Sequence, residues 1–279
     1  MEHIRPPAVA GSFYPSDPGE LKELLDVCFV ASPLGPRGAK TPSLSLLGGM
    51  VPHAGYVFSG PCAAHFYAHL DDSIERIILL GVNHWARGHR AALSSWPAWQ
   101  TPLGEVPVDQ ELNDYLAGRL SFLKKEESAH AGEHSIEVQL PFLQRTLGDF
   151  TFVPISLSSL SGEESAELGA AIAETVETFS NSRIVILASS DLSHYRSPKD
   201  TEKLDQRVLE RVLSLDPDGL STRVQKESIT MCGVLPTAVM LFAAQHLGAK
   251  QTRLLKHCHS GDVQSMRKVV GYASVAIEL

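Results

Sequence analysis

The sequence predicts an α/β protein built on a mixed, largely parallel central sheet flanked by helices, and three observations carry that expectation. Short runs rich in Ile, Leu and Val recur at residues 46–51, 77–82 and 184–188, each bounded by turn-forming residues, as strands covered on both faces are written. Between such runs lie segments with apolar residues at helical spacing and recognisable caps, and this alternation implies parallel pairing. Each of the three runs also leads into a histidine: Pro52-His53, Asn83-His84, and Ser189-Ser190-Asp191-Leu192-Ser193-His194.

Taken in order, Asp17 caps a first helix, with Pro18 at its opening position, Glu20 in its first turn, and Leu21, Leu24 and Leu25 on one face. Residues 31–43, with Pro33, Gly35, Pro36, Gly38 and Pro42, read as a loop. It is not a domain boundary, because the segment before it is too short for a core of its own. A strand at 45–51 and a helix over 60–70, opened by Ser59-Gly60-Pro61, form the first β-α unit, and a strand at 76–82 begins the second. The polar, Trp-containing stretch 86–107 includes a strand near 91–94, and a helix starts at Asp109. Ile136, Leu140, Leu143 and Leu147 share a helical face over 135–147, with Pro141 expected as a kink. A strand at 150–157 follows. Ser161-Gly162-Glu163-Glu164 is a capping box that opens a helix with Leu168, Ile172 and Val176 aligned. A strand at 183–188, helices over 201–215 and 233–247, the latter stopped by Gly248, and strands at 252–258 and 269–277 complete the chain.

Composition bounds the rest. A chain of 279 residues with 43% hydrophobic and 20% charged residues is that of an ordinary globule, read as a single domain over 1–279. A formal charge of −8 without a Lys or Arg cluster argues against nucleic acid or an anionic membrane as partner. The first residues carry no apolar leader core, and the longest nearly apolar stretch, 234–244, is broken by Pro236 and Thr237. That stretch is far short of the roughly 20 residues a spanning helix needs. The four cysteines, 28, 62, 232 and 258, form no C-x-x-C pair, so a reducing, cytoplasmic setting is expected, with Cys28 and Cys62 as small buried hydrophobes.

The chemistry is expected where the strands end. Open α/β sheets bind ligands at the carboxyl ends of their strands, and imidazole is the commonest protein ligand for a transition metal. His53, His84 and His194 could therefore meet in one crevice. Pro52-His53-Ala54-Gly55-Tyr56 sets its histidine in a tight turn of small residues. Asp191 and His194 share a loop, which suits an acid/base histidine oriented by a carboxylate, further ligation, or simply a helix cap beside a surface histidine. His65, His69, His246, His257, His259, Trp96 and Trp99 read as packing or surface residues. No G-x-S-x-G, P-loop or G-x-G-x-x-G pattern is present, so serine hydrolase, NTPase and dinucleotide chemistry find no support.

Seven motifs in order, Ala10-Gly11-Ser12-Phe13-Tyr14, Pro52-His53-Ala54-Gly55-Tyr56, Gly81-Val82-Asn83-His84, Glu133-His134-Ser135-Ile136-Glu137, Ser189-Ser190-Asp191-Leu192-Ser193-His194, Met231-Cys232-Gly233 and Ser260-Gly261-Asp262-Val263, closely resemble the Memo family. The resemblance runs from about residue 5 to the C-terminus. That family includes AmmeMemoRadiSam system protein B, associated with AMMECR-type and radical-SAM proteins, and eukaryotic Memo proteins implicated in cell motility and redox control. Its fold is similar to the catalytic subunit of class III extradiol dioxygenases, which use non-haem Fe(II).

The resemblance implies that His53, His84 and Cys232 are metal ligands, with Asp191 and His194 lining the same pocket and Asp191 orienting His194 as the acid/base histidine. His134 and Glu137, three apart near a helix start, match the family too and are expected to support the pocket from behind. Where the dioxygenases carry a carboxylate ligand, this chain has Cys232. A thiolate is softer, so Fe(II) leads as the expected metal while Cu or Zn also fit. The implied function is a mononuclear 2-His-1-Cys non-haem iron oxidoreductase acting on a small molecule or peptide. The second reading is an adaptor that captures a peptide in the same crevice without metal, and a zinc hydrolase is a weaker third.

Overall fold

The computed structural model describes residues 4–279, so the first three residues of the stretch read for a leader lie outside the described residues. In chain order the strands are β1 (Leu46–Val51), β2 (Ile74–Val82), β3 (Ala91–Ser94), β4 (Ala98–Thr101), β5 (Gly104–Pro107), β6 (Lys124–Glu126), β7 (Thr151–Leu157), β8 (Arg183–Ser189), β9 (His194–Arg196), β10 (Gln251–His259) and β11 (Val269–Glu278). The helices are α1 (Pro18–Asp26), α2 (Tyr56–Tyr67), α3 (Gln110–Arg119), α4 (Leu140–Leu147), α5 (Gly162–Thr178), α6 (Pro198–Leu213), α7 (Pro217–Lys226), α8 (Val234–His246) and α9 (Ser260–Val263).

The main sheet runs β10-β11-β1-β8-β2-β7-β3-β6, with β9 paired to β11 off this path, and β4-β5 form a separate hairpin. Its centre is parallel: β8 pairs with β1 on one side and β2 on the other, and β2 pairs with β7. Antiparallel pairing is confined to β1-β11, β10-β11, β9-β11 and β3-β7. The fold is thus α/β with a mixed, largely parallel central sheet. Register brings the carboxyl ends of the three central strands level, with Val51 opposite Ser189 and Leu80 opposite Ala188.

Alternation along these strands explains the two helical layers. Ile78, Leu80, Ile186 and Ala188 join Leu168, Ile172, Val239 and Ala243 of α5 and α8 on one face. Ile77, Leu79, Val185 and Leu187 join Leu21, Leu25, Phe66 and Phe142 of α1, α2 and α4 on the other. With both faces covered, such strands need apolar residues at nearly every position, which is why they read as unbroken runs.

The caps behave as their chemistry requires. Asp17 accepts the Gly19 and Glu20 amides, and Ser161 and Glu164 exchange both bonds of the capping box. Two helix starts differ most from the expected ones. Helix α2 starts at Tyr56 rather than 60, with Pro61 inside it; Val57, the residue whose carbonyl loses its helical donor there, is solvent-exposed. Pro141 does not kink a helix but sits in the first turn of α4, after a 3-10 turn over Glu137–Gln139. The hairpin, β6, β9 and α7 were not anticipated, although Asp216 and Pro217 begin α7 as a cap and first-turn proline should. No described helix is long and apolar enough to cross a membrane.

Leu80 is wholly buried between the sheet and the α5–α8 layer. Leu80→Ala is expected to lower unfolding free energy by about 2–5 kcal/mol in urea titrations, with an unchanged m-value.

Candidate metal centre

Three level strand ends, together with the turn before α8, assemble the site. His53 leaves β1 and is buried, its backbone N–H donating to Asp191 Oδ1 (2.8 Å) from the loop after β8. Its Nδ1 contacts Ser189 Oγ at 2.9 Å, and its Nε2 faces Cys232 Sγ at 3.1 Å. His84 leaves β2, and its ring stands edge-on to His53 with centroids 5.2 Å apart. Cys232 precedes Gly233, the N-cap of α8, and receives the Asp191 backbone N–H on sulfur at 3.3 Å. The close approach behind it demands glycine: a Cβ on Gly233 would lie 2.3 Å from Ser190 Cβ. One ligand atom from each of His53, His84 and Cys232 lies within 4.8 Å of the others, close enough to share an ion.

His84 is oriented by a residue to which the sequence pattern assigns no role. Glu133, also buried, accepts the His84 Nδ1–H (2.9 Å) and the His84 backbone N–H (2.7 Å), together with the backbone amides of His134 and Ser135. With its proton on Nδ1, His84 offers a bare Nε2, the usual arrangement behind a metal-bound histidine. His134 stacks on His84 (4.7 Å, 16°) and packs on Phe13 (4.6 Å), and it lines the crevice itself. His84, Glu133 and His134 form a second group able to hold an ion, overlapping the first at His84. Glu133 already accepts from four N–H donors and also lies 3.2 Å from His134 Nδ1, so we assign it to orientation. The signal for it in the sequence was an acidic residue directly before His134.

Glu137 lies behind the crevice wall: it is fully buried, paired with Arg5 at 2.7 Å, and accepts the Ala8 and Val9 amides and the Tyr14 hydroxyl. It ties the N-terminal segment down so that Phe13 forms a wall of the pocket. One expected role is corrected: Asp191 does not orient His194. Asp191 spends its carboxylate on the His53 turn, whereas His194 donates Nδ1–H to Thr230 O and its backbone N–H to Thr230 Oγ1, both at 2.7 Å. Thr230 is thus a functional neighbour with no sequence signal. Asp191 and His194 do line one cavity of about 490 Å³ with His53, His84, His134 and Cys232.

Electrostatics follow from burial. Desolvation, followed by the neighbouring His134 and His84, holds the His53 imidazole well below its usual range, so it stays neutral. Burial opposes ionisation of Glu133, but hydrogen bonds from His134 and His84 overcome it and keep the carboxylate ionised. Burial, and then the charge of Asp191, pushes the Cys232 thiol up. The sulfur therefore keeps its proton, which any ion bound there would have to displace. Two imidazoles and one sulfur, with no Lys or Arg among the described residues of the lining, fit a transition metal.

A family model described as Memo-like protein matches residues 5–276. The chain belongs to the Memo family. Similar curated members include a MEMO1 family protein of Methanopyrus kandleri, 41% identical over 97% of this chain and 98% of its own length. Others are those of Methanococcoides burtonii, 39% identical over 99% of this chain and 100% of its own, and Ignicoccus hospitalis, 41% identical over 99% of each. Among solved structures, an uncharacterized protein from Escherichia coli K12 is similar to this Memo protein with a TM-score of 0.51 and 14% identity, covering 74% of this chain and 87% of that one, a likeness of fold.

Burial of neutral histidines makes stability pH-dependent. Burial also holds His130 down, to about 3. As pH falls through about 6.5 the unfolded chain protonates these histidines while native His53 and His130 do not, so protons favour unfolding. Metal-free protein is expected to lose stability below about pH 6.5, approaching 1.4 kcal/mol per pH unit for each such histidine. Urea midpoints measured from pH 7.5 to 5 test this, and a flat profile would contradict it.

Proposed function

We propose that this Memo protein holds one first-row metal ion on His53, His84 and Cys232, Fe(II) ahead of Cu or Zn, and acts as an oxidoreductase on a small substrate in the same crevice. The observation that carries the reading is the convergence of His53 Nε2, the bare nitrogen of His84 and Cys232 Sγ, each held by buried partners. The family's likeness to class III extradiol dioxygenases supports iron, and the thiolate keeps softer ions in play. When bound, such an ion would supply Lewis acidity and redox capacity at the crevice floor.

The chain's own residues do the rest. His194 donates its Nδ1–H to Thr230 O, which leaves its Nε2 lone pair free to take a proton from a substrate hydroxyl or thiol and later return it. Asp191 fixes the turn that carries His53. Phe13 and Val270 line the crevice as apolar walls that limit water around the reacting group. A cytoplasmic setting and association with AMMECR-type and radical-SAM proteins belong to the same proposal and rest on the family resemblance.

Purified without oxygen, the protein is expected to take up about one equivalent of Fe(II), and Cys232→Ala to lose most of that uptake, as read by elemental analysis. Stoichiometric iron in the Ala variant would overturn the ligand set. If wild-type protein takes up no metal yet binds a peptide in the crevice, the adaptor reading replaces this one. Glu133→Gln is expected to weaken metal affinity about 10- to 100-fold in competition titrations, by loosening the His84 ring.

A further inference from the structure

Behind His53 lies a buried polar chain that the metal reading does not use. Ser189 Oγ touches three groups: Ser135 O at 2.6 Å, Gln139 Nε2 at 2.9 Å and His53 Nδ1 at 2.9 Å. A hydroxyl has one proton, and a backbone carbonyl can only accept, so that proton goes to Ser135 O. The remaining two contacts must be donations to the Ser189 oxygen. Gln139 supplies one, leaving His53 to supply the other from Nδ1. His53 Nε2 is then bare, consistent with its position 3.1 Å from Cys232 Sγ.

Gln139 is itself fixed from both ends. Its Nε2 also donates to Pro52 O at 2.9 Å, and that carbonyl cannot donate in return, so the amide can face only one way. The Tyr67 hydroxyl donates to the opposite end, Oε1, at 2.6 Å. Ser189, Gln139 and Tyr67 are all buried, so no water competes for these bonds. Filled by the Gln139 amide, the Ser189 oxygen has no freedom to swing its own proton toward His53.

We propose that Gln139, seated by Tyr67, is a positioning residue for the metal centre, acting through Ser189 to hold His53 as the Nδ1–H tautomer that turns a bare Nε2 toward the ion. The proposal rests on the metal reading above, yet part of its test needs no metal. Long-range 1H–15N spectra of metal-free wild-type protein are expected to place the His53 proton on Nδ1, and a proton on Nε2 would overturn the proposal.

In Gln139→Leu and Ser189→Ala, folded by circular dichroism, the same spectra are expected to show a mixed or reversed His53 tautomer with His84 unchanged. His84 is the internal control, because Glu133 orients it independently. Zn(II) affinity, read against a chromophoric chelator, is expected to fall about tenfold or more in both variants, and less in Tyr67→Phe. Folded variants with wild-type tautomer and wild-type Zn(II) affinity would overturn the positioning role. If wild-type protein takes up no Zn(II) or Fe(II), the metal reading fails, and the wild-type His53 spectrum still decides the tautomer by itself.

Discussion

The pairing of β8 with β1 on one side and β2 on the other is the constraint from which the rest of the molecule follows. Parallel strands in register end together, so residues far apart in the chain are delivered to one rim. His53, His84 and the Asp191–His194 loop are neighbours for that reason alone. Helix α8, packed over the same strands, brings the turn carrying Cys232 to the fourth side.

Delivering the residues is not enough, because imidazoles and a thiol must also point correctly into the crevice. Buried polar groups there are ordered by exhaustion of partners: Glu133 accepts four N–H groups, and Ser189 fills every hydrogen-bonding position it has. The 3-10 turn at Glu137–Gln139 anchors this polarity. Its three consecutive residues each take a tyrosine hydroxyl, from Tyr14, Tyr56 and Tyr67. The N-terminal segment, α2 and the site are thus joined through one short turn.

Much of this was legible in the sequence. The central strands announced themselves by unbroken apolar runs, since only strands covered on both faces can tolerate them, and α1 and α5 announced themselves by their caps. Short edge elements such as β6 and β9 carry too few residues for periodicity to register. His53 and His84 were readable from their place at strand exits, whereas Cys232 was reached only through family likeness, because a lone cysteine in a turn has no spacing signature. The partners behind the site were harder still. Glu137 lies behind the crevice wall, and its partner, the Arg5 guanidinium 132 residues away, carries no spacing signal. Thr230 orients His194 through a backbone carbonyl, which every residue possesses and no pattern can mark.

Strand order carries a last consequence, for how the molecule is made. β8 lies between β1 and β2 although residues 83–182 separate it from β2 in the chain. A nascent chain that has emerged only as far as β7 lacks its middle strand, and β1 and β2 have no direct pairing to fall back on. Cys232 arrives later again. The ribosome must therefore release most of the polypeptide before the crevice can close, and products truncated before Cys232 would lack one of its three candidate ligands.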